Sequence, residues 1–343
     1  MKKNLIALAV AGALAVPAAA MAEATIYGKF HMSVDMYDNG GNGTEEAGGV
    51  AVSSNSSRIG FKGSEDLGSG LSAIWQTEST IDVASDGSSL SGRNSYLGVK
   101  GGFGTLMAGR HDSPVKTLGR KVDLFGDQVG DSRSIIRGRF AGADYDQRNS
   151  NMIMYVTPAM GALQGAIQYV PDENEEDTTD VTTLSIAGWY NAGPLYVGLG
   201  YNENQADDNS PGYEDETVVR LVGAYQMDAL KVTALYQAAE GVDNVDQDAD
   251  AYGLGAAFKM GGGNTIKGQY YMLDADGDEA STMAVGFDHA MSKQTSIYAA
   301  YALSDNDDGL TVTPWGGTGH ESLASGVDGE DASVFSLGMI HKF

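Results

Sequence analysis

Residues 25–37 read TIYGKFHMSVDMY. The even positions Ile26, Gly28, Phe30, Met32, Val34 and Met36 are apolar or glycine, and the odd positions between them include Lys29, His31, Ser33 and Asp35. Successive side chains of a β-strand point to opposite faces, so this period of two describes a strand with one greasy and one wettable side. The strand lies just behind residues 1–22, in which Lys2 and Lys3 precede the apolar run LIALAVAGALAV and the small-residue end Ala20-Met21-Ala22. That is the pattern of a cleaved export signal. Its apolar run is shorter than the roughly 18 residues a membrane-spanning helix needs, and no later stretch reaches that length.

Cleavage after Ala22 leaves residues 23–343, 321 residues (343 minus 22), which we read as a single β domain. The chain has no cysteine, so an exported protein of this kind is stabilised without disulfides. Without the two signal lysines, 19 basic residues face 46 acidic ones, a formal charge of −27. Such a balance argues against nucleic acid as a partner.

The alternation of the opening stretch returns along the chain. Leu195, Val197, Leu199 and Tyr201 alternate with Gly198, Gly200 and Asn202; Val219, Leu221, Tyr225 and Met227 oppose Arg220 and Gln226; Tyr252, Leu254, Ala256, Phe258 and Met260 oppose Lys259. Outside the signal, the six prolines (114, 158, 171, 194, 211 and 314) all fall between such segments, as expected for a residue that removes a ladder donor. The gaps alternate between tight, glycine-rich ones such as NAGP (191–194) and GGGN (261–264) and long acidic ones such as PDENEEDTTD (171–180). Short turns at one end and long loops at the other are the signature of an up-and-down barrel, here of about sixteen strands.

The polar face is rich in Lys, Arg, Gln, Asp, Tyr and glycine, which suits a water-filled lumen better than the dry interior of a sandwich or lipocalin-type barrel. The apolar face carries no mid-strand charge in the segments above. A Lys or Arg there would cost roughly 2–4 kcal/mol at mid-bilayer depth. Tyr27, Tyr37, Trp75, Trp189, Tyr201 and Tyr225 near strand ends are expected in interfacial girdles.

Over its whole mature length the sequence resembles the general diffusion porins of Gram-negative outer membranes. The matching stretches are IYGKF (26–30), SSRIGFKGSEDLGSGLSAIWQTE (56–78), RNSYLGVKGGFGTLMAGR (93–110), DLFGDQVGD (123–131), QRNSNMIMYVTP (147–158) and the terminus FSLGMIHKF (335–343). The terminus resembles the strand signal read by barrel-assembly machinery and ends on Phe343, with His341 where many members carry tyrosine. The resemblance implies an all-β, 16-stranded antiparallel transmembrane barrel, a homotrimer set in outer-membrane lipid and lipopolysaccharide, with one long loop folded into the lumen. The longest gap of the first half, Asp112 to Gln147, is the candidate loop.

A pore selects by its narrowest width and by the charges at that depth. Carried over from the family, the loop acids are Asp127 and Asp131, with Asp123 as a third, and the wall bases are Lys29, Arg58 and Arg148. Strand parity independently places Lys29, Arg58 and Lys62 on the polar face. Arg93 shares the parity of Leu97 and Val99, so a bulge must turn it inward for a wall role, or it lies beyond the membrane boundary. Arg110 shares the parity of Leu106 and Ala108, and the family suggests pairing with an acid of a neighbouring subunit, such as Asp82 or Asp86. Arg133, Arg137 and Arg139 on the loop either tether it or offset its acids. The acidic outer loops either bridge divalent cations to lipopolysaccharide or solvate the surface.

Other classes are less well served. A β-barrel phospholipase or protease would share these strands and need a Ser/His/Asn or Asp/His cluster at the rim. His31, His111, His289, His320 and His341 are scattered without metal-ligand spacing, and no G-x-S-x-G elbow or cysteine nucleophile occurs. DADGDE (274–279) departs from a calcium loop in its glycine position and lacks the final glutamate. An adhesin or structural anchor would call for a smaller plugged barrel or an added soluble domain. The expected function is passive diffusion of ions and small hydrophilic solutes, with no cofactor and no metal.

Overall fold

The structure is a computed structural model that describes residues 24–43, 47–84, 91–138, 144–171, 182–205, 215–241, 248–316, 320 and 323–343. The export-signal segment lies outside the described residues, as do most of the acidic stretches 171–180 and 204–216.

Sixteen antiparallel strands close into one barrel. They are β1 (Thr25–Asp38), β2 (Gly48–Ser54 continued by Arg58–Gly68), β3 (Leu71–Thr80), β4 (Ser91–Gly92 continued by Ser95–Gly101), β5 (Gly104–Asp112), β6 (Arg148–Val156), β7 (Leu163–Val170) and β8 (Thr182–Ala192). The second half comprises β9 (Leu195–Gln205), β10 (Glu216–Met227), β11 (Leu230–Glu240), β12 (Ala249–Gly261), β13 (Asn264–Ala275), β14 (Asp278–Ala290), β15 (Thr295–Asn306) and β16 (Ser333–Lys342). Each strand pairs with the next, and β1 pairs with β16 in the register Lys29↔Lys342 to Asp38↔Ser333. Two interruptions, at Asn55–Ser57 and at Arg93–Asn94, divide β2 and β4. DADGDE is a hairpin turn between β13 and β14, with Asp276 and Gly277 both at positive φ, as a tight two-residue connection demands.

The orientation follows the alternation. On β1, Phe30 and Val34 are 41% and 42% exposed on the outside, while His31 and Asp35 are wholly buried within. Leu254, 66% exposed, lies on the same outer surface. A continuous band of exposed Leu, Ile, Val, Met, Phe and Tyr on a folded barrel is the surface expected to meet hydrocarbon.

The seam shows why the first and last motifs go together. Gly28 and Phe343 exchange backbone hydrogen bonds of 3.0 and 3.1 Å, and the Phe343 ring lies 5.6 Å from that of Phe30. A Cβ on residue 28 would fall on the Phe343 ring, so only glycine fits there.

Three of the six expected girdle aromatics point into the lumen instead. Tyr27 donates to Glu78 Oε2 at 3.0 Å, Tyr37 meets Trp315 edge-on at 5.6 Å, and Trp189 packs against inner clusters that include Ala166 and Ala187. Tyr27 and Tyr37 occupy the odd, inward positions of β1, and Trp189 shares the parity of buried Ser185 and Ala187. Trp75, Tyr201 and Tyr225 do face outward: Trp75 is paired with exposed Leu97, Tyr201 with exposed Val219, and Tyr225 is itself exposed.

Residues 113–138 and 144–147 enter the barrel, and the sequence reading did not foresee their helices. In α1 (Pro114–Val122), the proline occupies the first helical position and the Ser113 hydroxyl accepts from the Lys116 N–H at 3.1 Å. Val115, Leu118 and Val122, spaced three and four apart, form a buried stripe. It packs on β7–β11, where Leu118 lies against Gly198 and Gly200 and the stripe joins a core with Val218, Val222 and Leu235. A second short helix, α2 (Arg133–Ile136), rests on β13 and β14. Part of the interior is therefore a dry core, formed where the loop covers small and apolar inward residues. The described residues between β15 and β16 also turn inward: Pro314 O accepts from the Gly130 N–H at 2.5 Å, and His320 Nδ1 lies 3.0 Å from Asp35.

Candidate functional site

The chain from Asp123 to Arg133 crosses the lumen and sets its carboxylates against the opposite wall. Asp127 Oδ2 lies 2.7 Å from Lys29 Nζ on β1 and 2.9 Å from an Arg58 guanidinium nitrogen on β2. Its other oxygen is 3.1 Å from Arg120 and 3.4 Å from Arg133. Asp127 holds this place at φ +62°, a left-handed conformation that costs about 1 kcal/mol in a residue with a Cβ. Its N–H donates to Asp131 Oδ2 at 2.7 Å, and the four cations hold its carboxylate.

Arg120, in the last turn of α1, gathers all three predicted loop acids, at 2.7 Å from Asp131, 3.1 Å from Asp127 and 3.4 Å from Asp123. Burial opposes ionisation of Asp127, yet Lys29, Arg120, Arg58 and Arg133 outweigh it and hold its pKa well below the usual carboxylate range. Asp131 is likewise lowered against burial, first by Arg133 and then by Arg120. Asp123 behaves oppositely: burial, then the neighbouring Asp131, raise its pKa to about 7. It accepts from Gln269 Nε2 at 3.0 Å and from the Phe125 N–H at 3.0 Å, so it docks the loop on β13.

The predicted wall bases separate into three groups. Lys29 and Arg58 meet Asp127. Arg93 pairs with Glu78 at 2.6 Å, and Glu78 in turn lies 3.8 Å from Arg58, which joins Arg93 to the same cluster. The break in β4 releases Arg93 from the parity of Leu97 and Val99. Arg148 belongs to the stem of the loop: it and Lys116 each lie 3.0 Å from Asp112 Oδ1, and Asn94 bridges Arg148 and Asp112. Lys62 stands apart from the loop acids, 5.1 Å over the ring of Tyr27.

Arg110 donates to the Gly92 carbonyl at 3.2 Å and to Ser150 Oγ at 2.6 Å, beside a register shift between Gly109 and His111. Arg133 lies within the acid cluster, and Arg137 forms a two-pronged pair with Asp144 at 3.0 and 2.6 Å, so both offset acids of their own loop. Arg139 and Asp86 lie outside the described residues.

The sequence reading missed Arg220. Fully buried on β10, it is 2.7 Å from Asp146, donates to the carbonyls of Val115 at 3.2 Å and Ile136 at 3.1 Å, and bonds Gln237 Oε1 at 2.6 and 2.8 Å. One guanidinium thus ties both helices and the returning stem of the loop to the wall. Its only sequence signal is an arginine on the inward parity of a strand.

Two of the histidines, His31 and His320, share one buried polar cluster through Tyr298, Asn55, Ser33 and Asp35, and the others lie apart from it. His111 heads the inserted loop, His289 bonds Asn264 beside the 261–263 turn, and His31 bonds Tyr298 at 2.8 Å inside the barrel. The His320–Asp35 pair is fully buried.

The family described as Gram-negative porin matches residues 7–309. The major outer membrane protein P.IB of Neisseria meningitidis serogroup B is 31% identical over 338 residues, covering 93% of this chain and 98% of that one. Outer membrane porin protein 32 of Delftia acidovorans is 30% identical over 360 residues, covering all of both. Among solved structures, the anion-selective porin from Comamonas acidovorans superposes with a TM-score of 0.81 at 26% identity, covering 94% of this chain and 100% of that chain. A closed sixteen-stranded barrel, greasy outside and charged within, thus joins a match over most of the sequence: the chain belongs to the Gram-negative porin family and forms an outer-membrane channel for passive diffusion of ions and small hydrophilic solutes.

Proposed function

We propose that the cluster around Asp127 is the selectivity point of this channel and that it favours anions. The observation that carries this reading is the sharing of one loop carboxylate among Lys29, Arg58, Arg120 and Arg133. Counted as a unit, the five bases Lys29, Arg58, Arg93, Arg120 and Arg133 outnumber the four acids Glu78, Asp123, Asp127 and Asp131 by one. Lys62, Lys231 and Lys259, at inward strand positions toward the short-turn end, extend the positive field. The Comamonas acidovorans porin is itself anion-selective. Reversal potentials across a planar bilayer in a potassium chloride gradient test the reading. A sign reporting chloride preference is expected; potassium preference overturns it.

The working form in this reading is a homotrimer set in outer-membrane lipid and lipopolysaccharide, reached after removal of residues 1–22 and delivery by barrel-assembly machinery that reads the strand ending at Phe343. Passage involves no chemical step. Arg110 supports the subunit contact, because it has no acidic partner among the described residues, which suits pairing with an acid of a neighbouring subunit. Conductance steps in multiples of three, and loss of the trimer band on unheated gels for Arg110→Glu, are the expected results.

A further inference from the structure

We propose a second solute site in this channel: a side cavity at the periplasmic end that binds small aromatic carboxylates. The proposal rests on the pore reading and goes beyond it. The cavity, of about 260 Å³, opens beneath the C-terminal end of α1 and is lined by Lys121, Lys231, Trp189, Tyr196, Asn191 and Gln226, among others. It sits beside the tight turns that follow β8 and β10, and short turns mark the periplasmic end of such barrels. It is placed on the wall that α1 occupies, away from Lys29 and Arg58.

Three observations fit the cavity to an aromatic anion. First, its lining includes two lysines and no carboxylate, in a chain whose acids outnumber its bases 46 to 21. Neither Lys121 nor Lys231 forms a salt bridge among the described residues, whereas Lys29, Lys116 and Lys267 all do. Asp123, the acid whose charge acts on Lys231, is already held by Arg120 and Gln269. Two lysines without a carboxylate partner therefore line one small volume, the Lys231 ammonium donating to the Lys121 carbonyl at 3.4 Å.

Second, Trp189 and Tyr196 turn inward on a wall where glycines and short polar side chains are the rule. Ring faces supply the flat contact surface that aromatic solutes prefer. Third, the size is right. A cavity of about 150 Å³ admits benzene, so the volume here accommodates a ring bearing a carboxylate. The amides of Asn191 and Gln226 offer donors and acceptors to a ring substituent or to the second carboxylate oxygen.

The test is titration of single channels in about 0.1 M potassium chloride, where screening extends over about 10 Å, with sodium benzoate, cyclohexanecarboxylate or acetate. Benzoate is expected to reduce the current at concentrations several-fold below those required of the other two. Trp189→Leu should weaken benzoate block roughly three- to tenfold, the loss of one ring contact, and Lys231→Gln roughly two- to fivefold. Ala224→Phe, which fills the cavity, is expected to abolish the preference. Equal block by all three anions in the wild-type channel overturns the proposal without any variant having to fold, as does benzoate block unaltered in Trp189→Leu. Stepwise chloride conductance of the wild-type protein stands as the separate measure of the pore itself.

Discussion

The ammonium of Lys29 and the carboxylate of Asp127 meet at 2.7 Å, joining the first strand of the barrel to the tip of a loop 98 residues further on. That contact closes the lumen on one side of the loop tip. It also makes Asp127 the acid whose removal releases the most positive charge.

Asp127→Asn tests the charge alone, because asparagine tolerates the left-handed backbone almost as well as aspartate. A unit charge about 8 Å from a passing ion is worth about 0.5 kcal/mol in water, a two- to threefold change in permeability ratio. The expected result is a reversal potential shifted by that factor toward chloride. An unchanged potential would remove Asp127 from the narrowest point.

Arg220→Met should free the loop rather than the barrel. Removing one partner of a buried pair costs about 3–5 kcal/mol, here spent at Asp146 and at the carbonyls of Val115 and Ile136. Excess current noise and new tryptic cleavage at Arg133 or Arg137 are expected, with the strand signature in circular dichroism retained. A quiet, protease-resistant channel would show that the apolar seat of α1 suffices.

The loop carboxylates predict opposite responses to pH. Asp123, raised from an ordinary value near 3.8 to about 7, favours the docked loop most below its unfolded value, and this contribution is lost as pH rises through about 7. Between pH 5 and 8 it gains negative charge, so chloride preference should fall as pH rises, and Asp123→Asn should flatten the dependence. Asp127 and Asp131, lowered below the ordinary value, remain ionised across this window. Their stabilisation is complete above the unfolded value and is lost only as the pH falls through their lower folded ones. Reversal potentials at the two pH values decide the matter.

Gly28→Val should hinder closure of the barrel. The added branches collide with the Phe343 ring across the seam, and overpacking of this kind costs about 1–3 kcal/mol. A smaller folded fraction on unheated gels is expected, and co-substitution of Phe343→Ala should recover part of it. No recovery would place the fault elsewhere than in that ring.

The barrel was legible because each wall strand carries its address locally: Phe30, Val34 and Leu254 reveal their side by parity alone. The pairing of Lys29 and Arg58 with the loop acids came from resemblance, supported by the same parity. Arg220 was not legible, since the groups it ties together lie 74 to 105 residues away and strand parity says nothing about what fills the lumen. Trp189, Tyr27 and Tyr37 were placed outside on the strength of residue type, where their positions in the alternation pointed in. The helix α1 had a readable signal in Ser113, Pro114 and the spacing of Val115, Leu118 and Val122, but nine residues in a long gap are easily passed over.

The keying of Leu118 onto Gly198 and Gly200 makes the conduit eccentric. The two plug helices lie on β7–β11 and on β13–β14, and Arg58 and Arg93 stand on the other side, on β2 and in the break of β4. Changes beside Arg58 and Arg93 should retune which solutes pass, whereas changes at the Gly198–Gly200 seat should decide how firmly the plug stays put.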